Sequence, residues 1–487
     1  MSKPGRWFAA LITPTIRMRW HRTNRLPLAV IVFASAHAFA ADPRLDRRFA
    51  ELRKSPPELY AFLYRMPKGG DLHNHLAGAV YAESYLRAAE KDGLCVDPKT
   101  MALVMPATLY LQCAPGLTPA TAARTDNTLA GALIDSFSMR NFVPGAQSAH
   151  DHFFAAFNKF GAVDSSHNGE FAAEVTARAA DQNESYLELM ALSGGSVAGL
   201  GKVTGLDASN FDLTRNKLIA AGLSDAVQKL RKRVDEMEAG RLSNLGCATS
   251  AESPACRVVV HYVYQVLREF PKEQVFAQVM AGFALAASDP RVVAVNFVQP
   301  EDGLNSMGDY HLHMQMVDYA HRIYPGVHIS LHAGELAPGL IPPEGLLFHV
   351  REAVDLGHAE RIGHGVDIMY ETNPLGLLAK MHERNIAVEI NLTSNDVILG
   401  VRGDRHPFPV YRRYRVPVVL STDDEGVSRS NLTLEYQRAA MDYNLTYSDL
   451  KEIVRNSLEY SFLRTDEKAR LEADLEARFN EFERTVK

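Results

Sequence analysis

Four short stretches of this chain place metal-binding or proton-transferring side chains directly after apolar runs. In DLHNHLAG, His73 and His75 stand two residues apart. Alternate residues of a strand point to one face, so the two imidazoles can bind one ion together. In SLHAGE, His332 offers another imidazole, and Glu335 sits one loop further on, placed to reach a metal-activated water without ligating the ion. In RIGHGV, His364 lies between two glycines, whose missing side chains let a ligand approach the backbone. In VVLSTDDEG, Asp423 and Asp424 follow an apolar run. Adjacent carboxylates at a buried strand end repel each other unless a cation or a hydrogen-bonding ligand compensates, so one is expected to meet metal and the other substrate.

Each stretch also has an ordinary structural explanation. An HxH triplet is common strand sequence, and a lone His between glycines is often a satisfied core residue. Glu335 and the Asp-Asp-Glu run both suit the first turn of a helix, where acidic side chains favour the dipole. What joins the four is their chemistry. Three His and one carboxylate suit Zn2+ with water in an open position, and zinc lowers the pKa of that water toward neutrality. The expected reaction class is hydrolysis, with one zinc per chain.

The elements that must position these groups are legible as eight short apolar runs, at residues 69–75, 186–192, 257–263, 291–298, 327–333, 361–366, 387–393 and 417–423. Most are nearly continuous in Val, Ile and Leu, as strands covered on both faces should be, and the later spacers each have room for a helix. The expected fold is α/β: a (β/α)8 TIM barrel with insertions and added helices. The four motifs end the first, fifth, sixth and eighth runs, which is the face where barrel active sites lie. Residues 41–66 read as a helical arm and residues 67–487 as the catalytic domain. The Gly-, Ser- and Asn-containing spacers 91–150 and 195–256 read as insertions, and the charged tail from about 431 as helices packed outside the barrel.

Composition narrows the partners. With 46% hydrophobic and 23% charged residues, disorder is not the default. A net charge of −6 offers no footprint for nucleic acid or an anionic membrane, so a small-molecule substrate is expected. The basic run Arg17–Arg25 precedes LPLAVIVFASAHAFA at 26–40, a short apolar stretch ending in small residues. This pattern predicts a signal peptide over residues 1–40, cleaved before Ala41, with Met18 as an alternative start. The stretch is too short for a comfortable membrane span, and no later run reaches 18 apolar residues, so no anchor is expected. Export to the periplasm or beyond would permit disulfides among the four cysteines, and the short-range pairs Cys95–Cys113 and Cys247–Cys256 are preferred.

Taken together, MPKGGDLHNHLAGA, SLHAGE, RIGHGVD, EINLTSN and LSTDDEG resemble the motifs of the adenosine deaminase family in order and spacing, from about residue 66 to 440. The MPKG lead-in and the export signal are similar to the secreted, growth-factor-related branch and its bacterial relatives. The resemblance implies that His73, His75, His332 and Asp423 hold zinc. It implies that Glu335 gives a proton to purine N1 while water attacks C6, that His364 orients and helps deprotonate that water, and that Asp424 faces N7. Ala77 stands where many members carry an Asp that contacts the ribose, so that contact is missing or supplied elsewhere. Gln299, in VNFVQPEDG, occupies the place of a Gly whose backbone meets the purine's far edge, and only that backbone contact carries over. The implied substrate is a 6-aminopurine nucleoside: adenosine, deoxyadenosine or a 5′-modified adenosine. Free adenine ranks lower, and nucleotides do too because no phosphate cradle is visible.

Two alternatives remain on sequence grounds. Another metal-dependent barrel amidohydrolase would also open with HxH and close with Asp, although many of these bridge two metals with a carboxylated Lys, and no Lys ends a predicted middle strand here. An exported binding or signalling protein on the same scaffold would not need the full set of ligand and acid residues.

Overall fold

The computed structural model describes residues 43–107, 112–163 and 165–486. The leader read at residues 1–40 lies outside them. Eight parallel strands follow one another around the sheet in chain order. They are β1 (Gly70–His75), β2 (Tyr186–Ser193), β3 (Val259–Leu267), β4 (Val292–Val298), β5 (His328–Ala333), β6 (Arg361–His364), β7 (Ala387–Ile390) and β8 (Val418–Leu420). All eight coincide with the apolar runs of the sequence, and the architecture is a (β/α)8 TIM barrel. The strands are buried almost throughout because the barrel interior covers one face and a helical ring the other.

The ring closes beyond the end of β8. A parallel bridge pairs Asn74 with Asp423: the Asp423 N–H donates to the His73 carbonyl at 2.8 Å, and the His75 N–H donates to the Asp423 carbonyl at 3.0 Å. A seam held by so few ladder bonds needs bracing. The helix Tyr447–Glu459 packs against both β8 and β1. Its Ser457 hydroxyl accepts from the Gly70 N–H at 2.8 Å, and its Asn456 amide donates to the Val418 carbonyl at 3.0 Å.

The two long spacers differ in what they build. Between β1 and β2 the chain forms a small antiparallel sheet (Cys95–Asp97, Ala102–Val104, Thr118–Pro119) and the helices Asn127–Ser136, Ala149–Phe160 and Asn168–Asp181. Between β2 and β3 it forms the helices Gly195–Thr204, Phe211–Ala220 and Leu223–Asn244. The last of these crosses Asn168–Asp181 where Gly169 meets Gly240 so closely that a Cβ on Gly169 would lie 2.7 Å from the Gly240 Cα. Helix Gly195–Thr204 covers Lys272–Ala286, whose apolar residues run around most of its circumference; ten of its residues are buried. Disulfides join Cys95 to Cys113 and Cys247 to Cys256. No helix among the described residues is long and apolar enough to cross a membrane.

Inside the barrel, the fully buried Arg361 lies between two fully buried carboxylates. Its guanidinium donates to Glu188 and, at 2.5 Å, to Glu389 Oε1, and it stacks 3.8 Å over the Phe462 ring. Removing one member of such a cluster strands the remaining charges in a low dielectric, which costs about 3–5 kcal/mol. Arg361→Leu is therefore expected to lower the unfolding free energy by about that amount, read as a lower urea midpoint. A loss of about 1 kcal/mol, the scale of an exposed ion pair, would contradict this account.

Candidate active site

The C-terminal ends of β1, β5 and β8 bring His73, His75, His332 and Asp423 to one point, with one ligand-capable atom from each within 4.8 Å of the others. The period of a strand turns His73 and His75 inward together. Asp423 reaches the same point because its backbone, at φ +60°, leaves the extended conformation. That left-handed turn is uncommon for a residue other than glycine.

The protons of the three imidazoles are placed by partners behind them. His73 Nδ1 donates to Glu389 Oε2 at 2.6 Å, and His75 Nδ1 to Gln265 Oε1 at 3.1 Å. His332 Nδ1 donates to Asn296 Oδ1 at 2.8 Å, and that oxygen also accepts from the His332 backbone N–H at 3.0 Å. The backbone donor fixes the amide orientation, so Asn296 can only accept from the ring. All three rings thus direct an Nε2 lone pair at the common point. His75 Nε2 and His332 Nε2 face each other at 3.2 Å, while Asp423 Oδ1 lies 3.4 Å from His73 Nε2 and 3.3 Å from His75 Nε2. His73 Nε2 and Asp423 Oδ1 are buried without a hydrogen-bond partner. Such facing lone pairs and a carboxylate repel unless a proton or a metal ion lies among them; a divalent cation turns each repulsion into a bond. Three nitrogens and one oxygen are a donor set that zinc favours, and the outer partners are those that orient ligating imidazoles.

The electrostatics agree for two of the rings. Burial, reinforced by neighbouring imidazoles, lowers the His332 pKa well below its usual value. Burial likewise outweighs Asp423 and holds His75 at about 4, so both stay neutral. His73 differs: burial lowers its pKa, but the flanking Asp423 and Glu389 carboxylates more than reverse this and raise it to about 10. At that ring a cation competes with a proton.

Glu335, His364 and Asp424 surround this cluster. Glu335 Oε1 is buried without a hydrogen-bond partner. Burial first, then Asp423 and Glu301, raise its pKa well above the usual carboxylate value, which favours the protonated form. The loop carrying it is pinned by Glu301, whose carboxylate accepts from the N–H groups of Gly334 at 3.0 Å and Glu335 at 2.8 Å and from His349 at 2.5 Å. His364 lies with Nδ1 3.6 Å from Glu335 Oε1 and Nε2 3.7 Å from Asp423 Oδ2, and burial holds its pKa at about 3. Its backbone also has positive φ, +69°. The flanking glycines serve packing rather than ligand approach: a Cβ on Gly363 would lie 2.8 Å from the His73 ring, and one on Gly365 2.4 Å from the Tyr411 hydroxyl. Asp424 Oδ1 is buried and unpartnered, and burial followed by Asp423 raises the Asp424 pKa well above its usual value. Its carboxyl occupies the space that a side chain on Gly78 would need.

Gln299 lies at the end of β4 with φ +82°; its carbonyl accepts from buried Arg268 at 2.9 Å and its side chain from the Glu269 N–H at 3.0 Å. It lines, with Ala77, His75, His332 and Asp423, a cavity of about 740 Å³. One wall is aromatic, with Phe153, Phe154 and Phe157 from the helix Ala149–Phe160. No Lys or Arg lines it among the described residues. Glu389 lies within the quoted stretch EINLTSN, and Asn296 and Glu301 within VNFVQPEDG, but none of them, nor Gln265, is given a supporting role on sequence grounds. The available signal was a lone polar or charged residue in an apolar strand, as in AVEINLT and RVVAVNFV.

Comparison with known proteins places these motifs. The family model described as adenosine deaminase matches residues 234–478, half of the chain. An adenosine deaminase of Clostridium perfringens is 33% identical over 151 residues, covering 31% of this chain and 42% of that protein. An adenosine deaminase of Pectobacterium atrosepticum is 32% identical over 189 residues, covering 39% and 51%. The chain thus spans about half or less of the length of these curated relatives. Among solved structures, an amidohydrolase from Burkholderia ambifaria described with bound Zn superposes with a TM-score of 0.55 at 19% identity, covering 88% of this chain and 94% of that one. At that identity the likeness supports the fold alone.

The role given to Asn296 is testable without any substrate. Asn296→Leu frees the His332 ring and is expected to weaken zinc binding by about 10- to 100-fold, whereas Asn296→Asp keeps the acceptor and the affinity. Competition with a chelator measures both, and equal affinities in the two variants would refute the orienting role.

Proposed function

The chain belongs to the adenosine deaminase family, and from that premise we propose that it hydrolyses the 6-amino group of a purine nucleoside, giving the inosine-type product and ammonia. The observation that carries this reading is the buried Glu335 carboxyl, whose pKa burial raises, beside three imidazole nitrogens and one carboxylate oxygen that converge on one point. We assign His73, His75, His332 and Asp423 to one zinc ion per chain. Bound there, zinc supplies the Lewis acidity that makes water a nucleophile near neutral pH.

The remaining work falls to side chains of this chain. The reaction adds one water across the C6–N bond and releases one ammonia. Purine N1 must gain a proton as C6 accepts oxygen, and protonated Glu335 is the donor suited to it. His364, fixed between Glu335 and Asp423, orients the attacking water. Neutral purine N7 can only accept, so Asp424 meets it as the protonated acid that its raised pKa favours. The Gln299 backbone lies at the cavity wall, where it would meet the purine edge. With Ala77 in place of an acid, the sugar is held by other lining groups.

The same cavity argues for a neutral nucleoside over a nucleotide, because it lacks a Lys or Arg among the described lining residues to pair a phosphate. The aromatic wall offers apolar surface to the purine or to a 5′ substituent. We further propose that the protein works outside the cytoplasm. The leader pattern and the two disulfides fit an oxidising compartment.

Glu335→Gln keeps the shape and removes the acid. It is expected to retain one zinc per chain and to lose at least about 100-fold in turnover, followed by the change in adenosine absorbance. Unchanged turnover with intact zinc would overturn the assignment. In a panel of 6-aminopurine compounds, nucleosides should outrun their 5′-monophosphates, and chelation should abolish both activities.

A further inference from the structure

A histidine that orients water can present either a proton or a lone pair, and the surroundings of His364 decide which. The deciding group is a backbone donor at some distance. The Phe408 N–H points at His406 Nδ1, 3.1 Å away. A backbone N–H can only donate, so that nitrogen carries the lone pair, and the neutral His406 ring carries its proton on Nε2. This N–H donates to Asn395 Oδ1 at 3.0 Å. The amide orientation is thereby set, with Nδ2 directed the other way, and Nδ2 donates to His364 Nδ1 at 2.8 Å. His364 Nδ1 is an acceptor, and the proton of the neutral ring lies on Nε2, the nitrogen nearer Asp423.

None of these bonds can be reversed alone. Turning Asn395 over would require two lone pairs on His406, one for the amide and one for the Phe408 N–H, and a neutral imidazole has one. His364, Asn395, His406 and Phe408 are all buried, so bulk water offers no competing partner. Burial, with Arg438 second, holds His406 at a pKa of about 3, which excludes the doubly protonated ring. The nearby Asn391 amide lies 3.4 Å and 3.5 Å from the two His364 nitrogens; nearly equidistant and long, it selects neither.

We propose that His406 and Asn395 are positioning residues that hold the proton of His364 on Nε2, so that His364 meets the attacking water as a hydrogen-bond donor and not as a base at that nitrogen. The proposal rests on the deaminase reading for its consequence, but the placement of the proton is observable without turnover. An outer partner of this kind is worth about 10- to 100-fold in activity.

Two substitutions separate the relay from simple packing. His406→Asn keeps an acceptor near the Phe408 N–H but falls short of Asn395. His406→Gln carries an amide N–H to the position of Nε2 and restores the donor. The zinc-loaded full chain is labelled with 15N-histidine, and the His364 signals are assigned by their loss in His364→Gln. Wild type and His406→Gln are expected to show a protonated Nε2 and a lone-pair Nδ1. His406→Asn should show a mixture of tautomers, with kcat lower by about 10- to 100-fold and with KM and zinc content unchanged. A wild-type His364 protonated on Nδ1 would overturn the proposal. So would a His406→Asn variant whose His364 tautomer matches wild type, whatever its kcat. A protein that deaminates no nucleoside yet shows the expected tautomers would uphold the relay and sink the deaminase reading.

Discussion

Asp423 joins the fold to the site. Its backbone N–H and carbonyl bond to His73 and His75 across the last gap in the barrel, and its carboxylate faces the rings of those same two residues. Closing the cylinder and assembling the donor cluster are therefore one event. The positive φ at Asp423 is the local cost, about 1–3 kcal/mol for such a conformation. The barrel can hold that strain because the seam is braced from outside by Tyr447–Glu459, and because the buried Arg361–Glu389 pair fixes the neighbouring layer. Glu389 continues the chain of contacts, taking Arg361 on one oxygen and His73 on the other.

Around this point, one low-dielectric space sorts four carboxyl groups into two kinds. Burial alone would raise all of them. For Glu389, Arg361 and His73 reverse the effect and bring the pKa to about 2; for Asp423, the surrounding imidazoles lower it as well. For Glu335 and Asp424 the neighbouring cations offset burial less, and Asp423 pushes both upward. Glu389 and Asp423 thus favour the charged form, and Glu335 and Asp424 the neutral one. The division follows from how far each carboxyl's neighbours offset its burial.

The eight strands were legible because strands covered on both faces carry continuous apolar runs, and that pattern survives without knowledge of neighbours. The motifs at the strand ends were legible for a related reason: His73, His75, His332, His364, Asp423 and Asp424 interrupt those runs with groups that a core would not otherwise tolerate. What sequence could not reveal is which strand ends come together. Asn296 matters because it lies beside His332, and Glu389 because it lies beside both Arg361 and His73. Each is one polar residue in an apolar strand, and its partner is more than 25 residues away. The spacer 195–256 read as an insertion from its Gly, Ser and Asn content, yet its helix Leu223–Asn244 packs into the outer ring. Only five of its residues are buried, so the apolar stripe that announces a ring helix is thin. The glycines beside His364 were read as room for a ligand, whereas they make room for His73 and Tyr411.

The contrast between the three clustered rings of His73, His75 and His332 and the ring of His364 shows how one residue type is given opposite tasks. His73, His75 and His332 each give the Nδ1 proton to an oxygen acceptor behind the ring, which leaves a lone pair on Nε2. His364 receives a proton from an amide on Nδ1, which leaves the proton on Nε2. The difference lies in the partner behind each ring: carboxylate or carbonyl oxygen for the first three, an amide nitrogen for the fourth. The polarity of the site is therefore written one layer out, where Glu389, Gln265, Asn296 and Asn395 stand. A substitution in that layer can invert what a ring presents to the centre without moving the ring, so a site whose four histidines and Asp423 are all intact can still be assembled with the wrong proton.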